Sequence, residues 1–152
     1  MFAIRPDDLS GVETRALIAL HLSGMRASSP PEHVSALDLS GLRTPDVRLW
    51  SAWDGESLAA IGALKQLSPT HGEIKSMRTH PDFLRRGAAA AILDHILAVA
   101  RLEGMRTLSL ETGSGPDFEP ALALYRKRGF RNGDAFGDYP ESAFNQFLHR
   151  TL

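Results

Sequence analysis

The chain has 152 residues, 43% of them apolar, which suits one globular domain, residues 1–152, with a sizeable core. Its 17 Lys and Arg nearly balance 18 Asp and Glu, with no long single-sign run, so nothing in the charge points to a nucleic-acid or anionic-membrane binder. The absence of cysteine excludes disulfides, a thiolate nucleophile and every cysteine-based metal site.

In chain order, Phe2 to Arg5 reads as a short strand, and Pro6 with two aspartates opens a helix whose apolar residues are Val12, Leu17, Leu20 and Met25. Ser28 to Pro31 break it, and a second short helix carrying Val34, Leu37 and Leu39 is expected before the turn at Thr44-Pro45-Asp46. Val47 to Asp54 and Ser57 to Leu67 are β-like and joined at Asp54-Gly55, a strong hairpin signal. After a turn at Ser68 to Gly72, Glu73 to Thr79 completes a three-stranded antiparallel meander. Ala90, Leu93, Leu97 and Ala100 recur at helical spacing between Arg86 and Glu103, and Gly104 ends that helix. Met105 to Thr112 reads as a buried strand, Pro120 to Arg128 as a helix stopped by Gly129, and Ala143 to Leu152 as the last strand. The order is mixed α/β, with a strand-helix-strand crossover from Glu73 to Thr112.

His21, His33, His71, His80, His95 and His149 are scattered without the spacing of a metal site, so no metal is expected. MFAIRPDD lacks the basic start and apolar core of a signal peptide, and no apolar run approaches the ~20 residues of a membrane span. A cytoplasmic protein is predicted.

The most informative stretch is the strand at Glu73 to Thr79, followed by His80-Pro81, Arg85, Arg86, Gly87 and the alanines Ala88 to Ala91. A helix start exposes unpaired N–H groups and the positive end of the peptide dipole, which stabilise a phosphate without any special side chain. Gly87 lets the backbone approach, the alanines keep the helix face low, and Arg85 and Arg86 add attraction. The alternative is an ordinary alanine-rich packing helix with a solvated basic turn.

Leu84-Arg85-Arg86-Gly87-Ala88-Ala89 resembles the acetyl-CoA pyrophosphate motif of the GCN5-related N-acetyltransferase (GNAT) superfamily: Gly87 and Ala89 match, and Leu84 departs from the usual Gln or Arg. Leu124-Tyr125 followed by Gly129-Phe130 is similar to the family's second signature. Leu110-Glu111-Thr112-Gly113 and Gly137-Asp138-Tyr139-Pro140 further resemble a small bacterial subgroup with poorly defined substrates.

The resemblance implies a GNAT fold: a mixed, mostly antiparallel sheet of about seven strands with about four helices, splayed between strands 4 and 5, where the pantetheine arm enters. It also implies an acetyl-CoA-dependent N-acetyltransferase acting on a primary amine of a small molecule or peptide by direct attack in a ternary complex. Main-chain groups of Met77 and Thr79 would hold pantetheine, and the segment Leu84, Arg85, Arg86, Gly87, Ala88, Ala89 and Ala90 the pyrophosphate. Tyr125 matches the tyrosine near the CoA sulfur and would be general acid. Glu73 stands fourteen residues before Gly87, the spacing of the catalytic glutamate in the histone-acetylating branch. It would serve as base, sharing a strand face with Lys75, Met77 and Thr79 unless a bulge re-aims one side; a water chain is the alternative.

Glu111, a carboxylate in an apolar strand beside the cleft, must be solvated, paired or functional, with Arg78 a candidate partner. His33, Arg26 and Trp53 are candidates for acceptor selection, and Phe118 stands where the family often has asparagine. The GDYP segment either closes over the acceptor site or simply turns into the last strand. The family commonly dimerises through its final strands. The rival reading is a non-catalytic acyl-CoA-binding sensor or partner-binding module.

Overall fold

The computed structural model describes all residues from Met1 to Leu152. Seven strands form one sheet in the order β1-β2-β3-β4-β5-β7-β6: β1 (Ala3–Asp7), β2 (Val47–Asp54), β3 (Ser57–Ser68), β4 (His71–Thr79), β5 (Thr107–Thr112), β6 (Arg131–Asn132) and β7 (Gln146–Thr151). All neighbours are antiparallel except β4 and β5. Four helices accompany them: α1 (Val12–Ser28), α2 (Leu39–Leu42), α3 (Ala88–Leu102) and α4 (Glu119–Lys127). The element order matches the sequence reading, with differences confined mainly to boundaries. The expected second helix is a 3-10 turn at Pro31–His33 plus the single turn of α2, whose N-terminus Asp38 caps by accepting from the Gly41 N–H at 2.9 Å.

The stripe that α1 buries is Thr14, Leu17, Ile18 and His21, whereas Val12 and Leu20 are exposed. Two polar residues therefore occupy the i, i+3, i+4, i+7 positions that an apolar count assigns elsewhere. This face packs on one side of the sheet against Leu49, Ile61 and Ala63. On the other side, Ile92, Leu93, Ile96 and Leu97 of α3 cover Leu64, Ile74 and Leu108 in the larger core.

Gly62 of β3 lies beneath α3, where a Cβ would stand 2.4 Å from Ile92 Cγ2 and 2.6 Å from Met77 Sδ. Sheet and helix cannot separate there without opening the core. Gly62→Ala is expected to cost about 1–3 kcal/mol, read as a lower urea midpoint at unchanged slope.

β4 contains a bulge. Its register against β3 slips between Ile61 and Ala63, and Ser76 takes a left-handed φ of 55°. Two β4 residues, Ser76 and Met77, thus face the single position of Gly62, and every side chain beyond the bulge changes face. Glu73 and Lys75 lie on the α1 side. Met77 turns to the α3 side, where its sulfur meets the Gly62 position, and Thr79 follows it opposite Ala60. The expected common face of Glu73, Lys75, Met77 and Thr79 is corrected accordingly; Arg78, opposite Ile61, joins Glu73 and Lys75 instead.

Candidate active site

Only His71, Gly72 and Glu73 of β4 pair with β5, opposite Thr107, Leu108 and Ser109. Beyond them the two strands diverge and leave backbone groups of both unpaired, which opens a cleft of about 700 Å³ between β4, β5, α1, α3 and α4. Met77, Thr79, Leu84, Arg85, Gly87, Ala88, Ala89, Ala90 and Tyr125 line it, as do Glu73 and Glu111. Arg86 does not: its guanidinium stands 3.6 Å from Asp54 and over the Phe83 ring, so only its backbone can serve the cleft.

At the cleft's α3 end, Arg85 and Gly87 adopt left-handed φ values of 61° and 88°. Such conformations turn successive N–H groups toward one side and make a concavity for an anion. From Leu84 to Ala90 no backbone N–H donates a hydrogen bond within the protein; the first helical bond of α3 runs from Ala91 to Gly87. Four of these, Gly87 to Ala90, are the donors that any helix start leaves free, and Leu84 to Arg86 extend the run along the exposed surface, where an anion can take it up. A Cβ at Gly87 would meet no protein atom within 4 Å, so the space above it is open.

Tyr125 reaches the cleft from α4, edge-on to Phe130 with ring centroids 5.9 Å apart. Burial pushes its phenol well above the ordinary range, with no hydrogen bond from the protein among the causes, and the residue lines the cleft. Phe118 also lines the cleft and packs edge-on against Phe144.

Glu73 is only 4% exposed. Tyr139 donates its phenolic hydrogen to Glu73 Oε2, Lys75 Nζ donates to the Tyr139 hydroxyl at 2.6 Å, and Nζ lies 3.5 Å from the same carboxylate oxygen. Burial and the Glu73 charge both raise the Tyr139 pKa, so its phenol stays protonated and donating. Oε1 of Glu73 accepts no hydrogen bond within the protein. The GDYP segment therefore reaches the cleft through Tyr139. Phe136 and Tyr139 also stack on Phe147, fixing the loop to the sheet.

Glu111, half-buried on β5, accepts only a 3.3 Å bond from Asn145 Nδ2, and burial raises its pKa. Arg78, the candidate partner, does not pair with it. Arg78 Nε instead donates to His21 Nδ1 at 2.9 Å, across to α1. His33 is buried and does not line the cleft; its ring lies 5.6 Å from that of Phe144. Arg26 is exposed outside the cleft, and Trp53 packs near the hairpin, donating to Ser51 Oγ at 2.8 Å. Neither faces the site. Lys75, Tyr139, Asn145 and the Arg78–His21 pair were not assigned these contacts from sequence, because the partners meet across 34 to 66 residues.

Burial, and secondarily Arg78, lower the His21 pKa from 6.5 to about 4. The unfolded chain then binds the proton first, so stability is full above pH 6.5 and falls as the pH drops toward 4. The loss at this one group is on the order of 3 kcal/mol. Urea unfolding between pH 7 and 4.5 is expected to show it, and His21→Gln to flatten that part of the slope.

The profile of the Acetyltransferase (GNAT) family matches residues 14–130. An Escherichia coli protein named uncharacterized N-acetyltransferase YedL is 51% identical over 152 residues, covering 100% of this chain and 96% of that one. Among solved structures, a Klebsiella pneumoniae protein provisionally named an acyl-CoA N-acyltransferase superposes with a TM-score of 0.83 at 26% identity, covering 100% and 98% of the two chains. A GNAT family acetyltransferase from Elizabethkingia anophelis with acetyl-CoA bound shares the fold, with a TM-score of 0.74 at 18% identity and coverage of 99% and 98%. The chain belongs to the GNAT acetyltransferase family and is an acetyltransferase. No helix is long and apolar enough to cross a membrane.

Proposed function

We propose that the chain transfers an acetyl group from acetyl-CoA to a primary amine of a small molecule or peptide by direct attack within a ternary complex. The observation that carries this reading is the run of seven unpaired amides from Leu84 to Ala90 at the mouth of a cleft between two diverging strands. The residues present fit the co-substrate. The amides and Arg85 hold its pyrophosphate, and the unpaired edges of β4 and β5, with Met77 and Thr79, receive the pantetheine arm.

Acetyl-CoA supplies the thioester carbonyl and the leaving thiolate. The amine nitrogen bonds to that carbonyl carbon as the carbon-sulfur bond breaks. Glu73 takes the amine proton through Oε1, while Lys75 and Tyr139 hold its other oxygen in place. Tyr125 gives its phenolic hydrogen to the sulfur. With no cysteine in the sequence, no thiol can carry the acetyl group, which favours direct attack.

The test is calorimetric titration of acetyl-CoA, followed by free-thiol release with a panel of amines. Binding with amine-dependent thiol release supports the enzyme; binding with no release from any amine would favour an acyl-CoA-binding module, and no binding would sink both.

A further inference from the structure

Among the charged side chains that line the cleft, Glu73 and Lys75 neutralise each other, Arg85 stands at the amide cradle, and Asp117 accepts from Ser28 Oγ at 2.9 Å. Two more, on the α1 side, have no ion-pair partner. Arg78 has no carboxylate within 4.0 Å, and Glu111 has no cation within that distance.

Arg78 is held for this position. His21 is buried and neutral at pH 7, so it accepts the Nε hydrogen without cancelling the charge. The other bond to α1, from Nη2 to the His21 carbonyl, is long at 3.5 Å. A guanidinium has five N–H donors, so at least three are left for a ligand. Gly24 makes the room: a Cβ there would stand 2.9 Å from Nη2. A glycine inside a 17-residue helix is costly, and here it admits a half-buried cation that no protein acid balances.

The geometry points to Arg78 as the binding group for a carboxylate on the acceptor, with Glu111 receiving the acceptor's ammonium end: the substrate class is an amino acid rather than a simple amine. This rests on the acetyltransferase reading above. The bulge at Ser76 puts Arg78 on the α1 face, away from the amide cradle at the start of α3, so the anion it meets is the acceptor's and not the co-substrate's pyrophosphate. Glu111 lies on the facing strand, two residues beyond the last β4–β5 pair, near enough to Lys75 and Glu73 for both charges to act on it, and it lines the same cleft as Arg78. Arg78 is three residues beyond Lys75, roughly 7–10 Å of strand. A zwitterion with its charges a few bonds apart spans that gap.

The experiment measures free-thiol release from acetyl-CoA with L-α-amino acids and linear ω-amino acids, each beside its own amide, which keeps the amine and removes the carboxylate. Acids are expected to exceed their amides in kcat/KM by ~10-fold or more, the scale of a charge-assisted pair. Arg78→Gln should raise the KM of the acid by that factor and erase the preference, with Arg78→Lys restoring part of it and the calorimetric Kd for acetyl-CoA within about twofold of wild type. Amides used as well as acids, or no acid used by a protein that binds acetyl-CoA, overturn the proposal. So does Arg78→Gln weakening acetyl-CoA itself, which would assign the guanidinium to the co-substrate. Wild-type protein that fails to bind acetyl-CoA would instead remove the acetyltransferase reading on which the proposal stands.

Discussion

Gly87→Glu is expected to abolish acetyl-CoA binding, raising Kd by at least ~100-fold in calorimetric titration while the protein still folds. Two effects act together. The new carboxylate would sit among the amides of Leu84 to Ala90, where it competes for the donors that an incoming pyrophosphate needs and repels its charge. Hydrogen bonds to a charged group contribute about 1.5–3 kcal/mol each, so losing two accounts for the factor. A side chain also strains φ of 88° at this position, by about 1–2 kcal/mol. The fold tolerates that strain because the added Cβ meets no protein atom, so Tm should fall by only a few degrees. Gly87→Ala separates the two effects, since it carries the strain without the charge and should weaken binding far less. Equal losses in both variants would mean that backbone shape, not the anion field of the amides, sets affinity.

The cradle was legible because its cause is local. A glycine followed by four alanines after a proline-bounded turn is written in adjacent residues, and Leu93, Leu97 and Ala100 declare the buried stripe of α3 by spacing alone. The divergence of β4 from β5 was available only through the family resemblance, since pairing that stops after three residues leaves no mark on alternation. The faces of β4 were misread beyond Lys75 for a related reason. Strict period two aligns Glu73 with Met77, but the inward apolar residues, Ile74 and Met77, are three apart. That odd interval is the sequence trace of an inserted residue, and it moves Arg78 onto the α1 side. Tyr139 had no such trace. It meets Glu73 from a loop 66 residues away, and the chain between them gives no reason for that pairing until the β7 strand is docked.

Tyr125→Phe is expected to lower kcat by ~100-fold with KM for acetyl-CoA nearly unchanged, the pattern of an interaction made only as the carbon-sulfur bond breaks. No protein hydrogen bond acts on the hydroxyl, so removing it leaves no orphaned group and should not lower Tm. Burial raises the phenol pKa, which by itself makes a weaker acid. The thiolate forming in the same cleft is desolvated too, so its pKa rises with that of its donor and proton transfer between them stays matched. The same burial keeps Tyr125 protonated across the working range, so the wild-type rate should show no alkaline limb near pH 10 from this group. If kcat falls less than about threefold, the sulfur takes its proton from solvent. If the calorimetric Kd for acetyl-CoA rises as much as kcat falls, the ring holds the co-substrate and the hydroxyl does no chemistry.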